Sequence, residues 1–240
     1  DLYLQTDTIL LADIFEHFRQ VCLNSYGLDP CHYYTAPGLA WDACLKMTDT
    51  RLELLTDLDM HLFIEKGIRG GISTIANRYS KANNHYIPDQ YDLTQPSKFI
   101  SYLDANNLYG YAMSGNLPKS GFRWLTEDSI RNLDVKLIPD HASEGYILEV
   151  DLEYPANLHD AHSDYPLAPE SLTVTSDTTS AYSQELSKKL NLPKVITCKK
   201  LIPNLYDKDN YVIHYRNLNI YLSQGMRLKT VHRVLAFLHS

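Results

Sequence analysis

With 240 residues, 44% of them hydrophobic, the chain can bury one sizeable core or two smaller ones, and no apolar run approaches the roughly 20 residues that span a bilayer. These features put it in the soluble globular class. The formal net charge of −7 is unevenly spread: residues 181–240 hold 10 Lys and Arg against 3 Asp and Glu, a net of +7, which leaves −14 on the first 180. An acidic body is compatible with clustered metal-binding carboxylates or with plain solubility, and a basic tail with contact to phosphate. The opening Asp1-Leu2-Tyr3 is neither an initiator methionine nor a signal peptide, so the chain reads as cut from something longer. Cys22, Cys31, Cys44 and Cys198 form no C-x-x-C pair, which argues for reduced, buried thiols over a zinc site or a disulfide framework.

Over residues 2–25, Tyr3, Leu10, Leu11, Ile14, Phe18, Val21 and Cys22 recur at helical spacing, while Asp13, Glu16, Arg19 and Gln20 mostly turn outward. Asp7 falls on the apolar stripe four residues after Tyr3. Burying it unpaired would be costly, so the position calls for a capping role or a basic partner. Gly27 and Pro30 stop this helix. A second helix is predicted from Pro37 and Gly38 to about Met47, and a third over 58–64, with Thr56 as N-cap and Gly67 as its stop. In Lys66-Gly-Ile-Arg-Gly-Gly71, the glycines suit a turn. They would also let backbone amides approach a phosphate, with Arg69 adding charge. Residues 76–98 are polar, hold two prolines and lack an apolar period, which predicts a loop or linker. Its tyrosines are surface packing or rings for stacking on bases.

Residues 99–113 read FISYLDANNLYGYAM. Phe99, Ile100, Tyr102 and Leu103 predict a short strand buried on both faces, after which Asp104, Asn106, Asn107, Tyr109 and Gly110 change to turn and helix-start chemistry. A carboxylate at the mouth of a strand is an Asx turn, a helix cap or a ligand for a divalent metal. A short helix follows over 111–115.

Residues 145–155 alternate Ile147 or Leu148, Val150 and Leu152 with Glu149, Asp151 and Glu153, a strand with one wet face whose carboxylates are solvated or, in the alternative, supply a third metal-side acid. His159, Asp160, His162 and Asp164 are metal-ligand types, yet Pro155, Pro166 and Pro169 around them predict an irregular surface loop. The Ser/Thr-rich tract 173–183 reads as mobile. A strand is predicted over 194–200 around Val195-Ile-Thr197, another over 210–215, a helix over 216–224 stopped by Gly225, and a last strand over 227–237.

Taken together, these strings resemble the protein-primed B-family DNA polymerases of viruses, organellar linear plasmids and Polinton-like elements. Asp104-Ala-Asn-Asn-Leu-Tyr-Gly110 is similar to the family's first polymerase motif, D-x-x-S-L-Y-P. Tyr3-Leu-Gln-Thr-Asp7 is similar to the Y-x-x-x-D third motif of its 3′–5′ proofreading exonuclease, whose first two motifs would lie upstream of Asp1. Arg69-Gly70-Gly71 stands where the family has a Y-x-G-G linker, with Ile68 in place of the usual tyrosine. Lys200-Leu-Ile-Pro-Asn204 and Tyr211-Val-Ile-His-Tyr-Arg-Asn-Leu218 resemble the end of the first insertion of the palm, which engages the priming protein and DNA.

The resemblance implies an α+β chain. It would hold the C-terminal helices of a ribonuclease H-like exonuclease domain (1–65), a linker with the double glycine (66–98), the start of a polymerase palm (99–116) and a mixed α/β insertion (117–240). The implied function is DNA-directed DNA polymerisation by a two-metal mechanism in protein-primed replication. Asp104 and the carbonyl of Ala105 would hold Mg²⁺ or Mn²⁺, and Asp7 the exonuclease metal, with Tyr3 orienting the attacking water. Asn107, Leu108 and Tyr109 would meet the incoming nucleotide, Tyr109 under its sugar, and Arg69, Gly70 and Gly71 would touch the template. Implied partners are template and primer DNA, deoxynucleoside triphosphates and a terminal priming protein, with no membrane. The implied place of action is intracellular, nuclear or at a viral replication site, rather than secreted. Neither a D-T-D second metal motif nor a K-x-x-x-N-S-x-Y-G helix occurs in these residues, so the chain alone is expected to be inactive. The competing expectation is a catalytically dead nucleic-acid or protein interaction module, a relic of such a polymerase.

Overall fold

Helix α1 (Leu2–Tyr26) ends where Gly27 takes the left-handed conformation at φ 63° and returns its N–H to the Leu23 carbonyl. A 3-10 turn at Pro30–His32 leads to α2 (Ala36–Thr48). Arg19 holds the turn by gripping both carboxylate oxygens of Asp29, and that guanidinium keeps the Asp29 carboxyl well below the usual carboxylate range. Cys22, Leu39 and Ala43 are buried here. Cys31 and Cys44 are exposed, against the expectation of buried thiols. The computed structural model describes residues 1–175, 178–192 and 198–239, and these helices form one unit, Asp1–Leu54, with Leu55–Ser240 as the second.

The second unit begins with α3 (Leu58–Gly67). Its cap is Asp57, whose carboxylate accepts from the Asp59 and Met60 amides, and not the predicted Thr56. Then come α4 (Leu108–Met113), β1 (Pro118–Trp124), α5 (Glu127–Arg131), β2 (Glu144–Glu153), β3 (Glu170–Val174), α6 (Ala181–Lys189), β4 (Cys198–Ile202), β5 (Lys208–His214), α7 (Tyr215–Ser223) and β6 (Arg227–His239). Four strands pair antiparallel in the order β1-β6-β2-β5, and β3 and β4 form a separate antiparallel ribbon. The fold is mixed α+β.

Both faces of the four-stranded sheet are covered. On one, Leu148, Val150, Leu152, Ile213 and Val234 pack with Tyr215 and Leu218 of α7. On the other, Phe63 of α3 sits on Val212 and Leu235, with the Trp124 ring edge-on at 4.9 Å. Strand β2 therefore lacks the wet face its alternation predicts. Glu149 is only 6% exposed, its carboxylate held by Lys66 Nζ and Arg233 Nε, both at 2.8 Å. Arg233 also reaches Asp59 and lies over the Phe63 and Trp124 rings. A second buried charge, Lys208, is bonded to Glu170 at 2.9 Å and to Asn204, which ties the β3 ribbon to β5. Burial pulls its ammonium pKa down against the raising effect of Glu170.

One further prediction needs correction. Residues 99–103 are in no strand, because the sheet is completed by other segments and an unpaired apolar run gains nothing from extension. Tyr102 and Leu103 are 95% and 88% exposed. The tract read as mobile contributes the end of β3 and the start of α6, the latter capped by Ser180 on the Ser183 amide. Residues 176–177 lie outside the described residues, as does Val195-Ile-Thr197 of the strand expected over 194–200, of which β4 is described. Strand β1 escaped sequence reading because Pro118 and Gly121 obscure its pattern.

The Glu149 ion pairs make the acid sensitivity of this unit testable. Burial alone would raise the Glu149 carboxyl, but Lys66 and Arg233 outweigh it and hold it below its ordinary 4.5. Its stabilisation is therefore complete above that pH and lost as pH falls through the folded-state value. Glu149→Gln should cost about 2 kcal/mol in urea unfolding at neutral pH, short of the full cost of breaking a buried pair because both cations keep access to water. The gap between wild type and variant should shrink below pH 4.5; a gap that stays constant into acid would contradict the assignment.

Candidate nucleotide and nucleic-acid site

The Asp104 segment is built by a local cap. Asn107 adopts the left-handed conformation at φ 51°, and its side-chain oxygen accepts from the Gly110 amide at 3.0 Å, which starts α4. A Cβ on Gly110 would overlap the Asn107 side chain, so glycine is required there. Asn107, not Asp104, thus performs the capping that this stretch of sequence promised. Asp104 and Ala105 are left on the exposed stretch before the helix, and among the described residues Asp104 has no ion pair. Leu108 and Tyr109 are also exposed, Tyr109 at 87%.

Tyr3 and Asp7 lie in the first two turns of α1, both exposed. The compensating partner expected for a buried Asp7 is unnecessary because the carboxylate reaches solvent. These residues belong to the first unit and Asp104 to the second.

Arg69 is spent internally. Its guanidinium stacks over the Tyr211 ring at 3.8 Å and donates to the Val212 carbonyl at 2.6 Å and to the Gly67 carbonyl at 3.2 Å. This hook fixes the glycine segment to β5. Gly70 and Gly71 face open space, with Gly71 at φ 75°, so their backbone remains free to approach a ligand. They border a cavity of about 400 Å³ together with Arg69, Tyr211, His214 and Tyr221. Burial pushes the Tyr211 phenol up, and its hydroxyl donates to the Pro169 carbonyl at 2.9 Å. Burial, then the charges of Arg216 and His239, push the His214 imidazole down to about 4. Tyr211 and His214 entered the sequence analysis only within a string resembling the palm insertion, and not as residues of this site. Their one signal was the Tyr-Val-Ile-His string, whose alternation says strand and says nothing of a guanidinium above it.

The His159 to Asp164 loop is irregular, as the prolines predict. His162 Nδ1 hydrogen-bonds the Tyr154 hydroxyl at 2.9 Å, His159 Nε2 meets the Tyr154 carbonyl at 3.2 Å, and both imidazoles pack edge-on to the Tyr154 ring. The H-x-x-H spacing serves this tyrosine. Among the described residues no group of three His, Cys, Asp or Glu side chains is arranged to hold a metal. No family model matches the chain, and no curated protein or solved structure matches it either.

If Arg69 is a structural hook, Arg69→Ala should destabilise the chain by about 1–2 kcal/mol, and Arg69→Lys should restore less than half, because an ammonium cannot stack and donate in the same geometry. Thermal unfolding of the two variants checks this; full rescue by lysine would show that charge alone matters. His214 makes a pH-linked prediction. Its native pKa lies below the ordinary 6.5, so the unfolded chain takes up a proton that the native state refuses, and acidification from 6.5 to about 4 destabilises the fold. His214→Gln keeps an acceptor for the Arg216 amide and should flatten the stability curve across that window.

Proposed function

We propose that the chain is a segment of a protein-primed B-family DNA polymerase, running from the end of its exonuclease through the first palm motif into the first insertion. The observation that carries the reading is the order Tyr3/Asp7, Arg69-Gly70-Gly71, Asp104/Tyr109 along one chain, which resembles the order of three family motifs, with Ile68 where the linker motif has tyrosine. Two structural features support it. An open carboxylate precedes a capped helix start that leaves Leu108 and Tyr109 accessible, and the glycine segment leaves its backbone free beside a cavity.

The Asp104 carboxylate and Ala105 carbonyl are oxygen donors of the kind Mg²⁺ takes when substrate phosphates complete its shell. They fit one half of a two-metal site. A bound Mg²⁺ would supply charge neutralisation at the triphosphate during attack by a primer hydroxyl, or by a hydroxyl of the priming protein at initiation. The protein's own contribution is positioning. The Asn107 cap fixes the turn, Gly110 allows its tightness, and Tyr109 would lie under the sugar, where its ring would exclude a 2′-hydroxyl.

With one palm carboxylate of the two required, residues 1–240 alone should not extend a primer, and magnesium-dependent extension by this chain would overturn the reading. In a complete enzyme carrying the segment, Asp104→Ala should abolish extension and spare proofreading, and Asp7→Ala should do the reverse. Equal loss of both activities in either variant would count against the division into exonuclease and palm.

A further inference from the structure

Loop 83–98 is longer than most connections inside a domain and, apart from a 3-10 turn at Pro88–Gln90, lacks regular structure, yet it is pinned throughout. Asn83 and Lys98 exchange backbone hydrogen bonds at 2.9 and 2.7 Å, closing its neck. The Asn83 side chain fills the interior, donating to the carbonyls of Asp92, Gln95 and Pro96 and accepting from the Asp92 amide. Asn84, buried, donates to the Lys98 carbonyl at 2.9 Å and accepts from the Tyr86 amide at 3.0 Å.

What this scaffold holds up is a group of rings. His85 and Tyr86 lie 4.1 Å apart, and Phe99, just past the neck, stands edge-on to both at 6.2 and 6.3 Å. All three are exposed, Tyr86 at 76% and Phe99 at 56%. Exposed aromatic rings gain little in water, and ordering a polar loop to present them costs conformational entropy, so the arrangement is a pre-organised surface for something planar. Exposed Lys81 and Lys98 flank the rings in sequence, and of the loop's two acids Asp92 is engaged by Thr94. Exposed rings with lysines close by in the chain are the residue types that hold single strands, with bases on the π-faces and phosphates on the cations.

We propose that His85, Tyr86 and Phe99, held by the Asn83 and Asn84 side chains, form a base-stacking platform for single-stranded DNA, with Lys81 and Lys98 against its phosphates. The proposal rests on the polymerase reading, in which a single-stranded template must be led past the palm, and it can fail separately from it.

The test is fluorescence anisotropy of the 240-residue chain with a labelled thymidine oligomer of about ten nucleotides. Tyr86→Ala and Phe99→Ala should each weaken binding about tenfold, while Tyr86→Phe retains it and an abasic strand of equal length binds wild type as poorly as Tyr86→Ala binds thymidine. Unchanged affinity in the double alanine variant, or equal affinity for the abasic strand, overturns the platform. Ring-dependent self-association in sedimentation without DNA binding also overturns it, in favour of a protein interface. This binding readout needs no catalysis. A complete enzyme that fails to extend primers while ring-dependent binding persists would therefore sink the polymerase reading and leave the platform standing.

Discussion

The second unit depends on one buried carboxylate. Glu149 sits in the middle of β2, the strand that pairs with both β5 and β6, and its side chain emerges on the face that α3 covers. An unpaired carboxylate there would cost several kcal/mol, and two cations from different elements remove that cost: Lys66 from the end of α3 and Arg233 from β6. Arg233 then joins polar and apolar packing, since the same guanidinium lies over Phe63 and Trp124 and reaches Asp59. The ion pairs fix how far along the sheet α3 can sit, which dispersion contacts alone do weakly.

That register is passed on to the segment after α3. Gly67 ends the helix so close to β5 that a Cβ would come within 3.0 Å of the Val212 side chain, and the chain then delivers Arg69 directly over Tyr211. The guanidinium closes the connection by donating to the Val212 carbonyl. The consequence for the candidate site is a division of labour. The arginine whose charge invites a phosphate contact is instead the fastener, and the glycines beside it offer the free backbone.

Elsewhere the same unit uses asparagine for local order where no sheet is at hand. Asn107 builds the turn before α4, and Asn83 and Asn84 build loop 83–98. Each lets a short amide side chain replace the backbone partners that an irregular segment lacks. The segments so stabilised are those that expose Asp104 and Tyr109 on one hand and Tyr86 and Phe99 on the other.

The sequence by itself determined the long helix and its glycine stop, the helices over α2, α3 and α7, and the strands β2, β5 and β6, because local periodicity and capping chemistry are read over a few residues. It also marked Asp104, Asn107 and Tyr109 as a turn into a helix. Only the tertiary structure decided that both faces of β2 are covered, that Glu149 is buried, that residues 99–103 find no strand to pair with, and that Arg69 points at Tyr211. Each of these turns on a partner far away in sequence: Arg233 for Glu149, Tyr211 and Val212 for Arg69. A carboxylate in an alternating strand looks the same whether it meets water or two cations. The difference lies in what the opposite element brings, and no local pattern contains that.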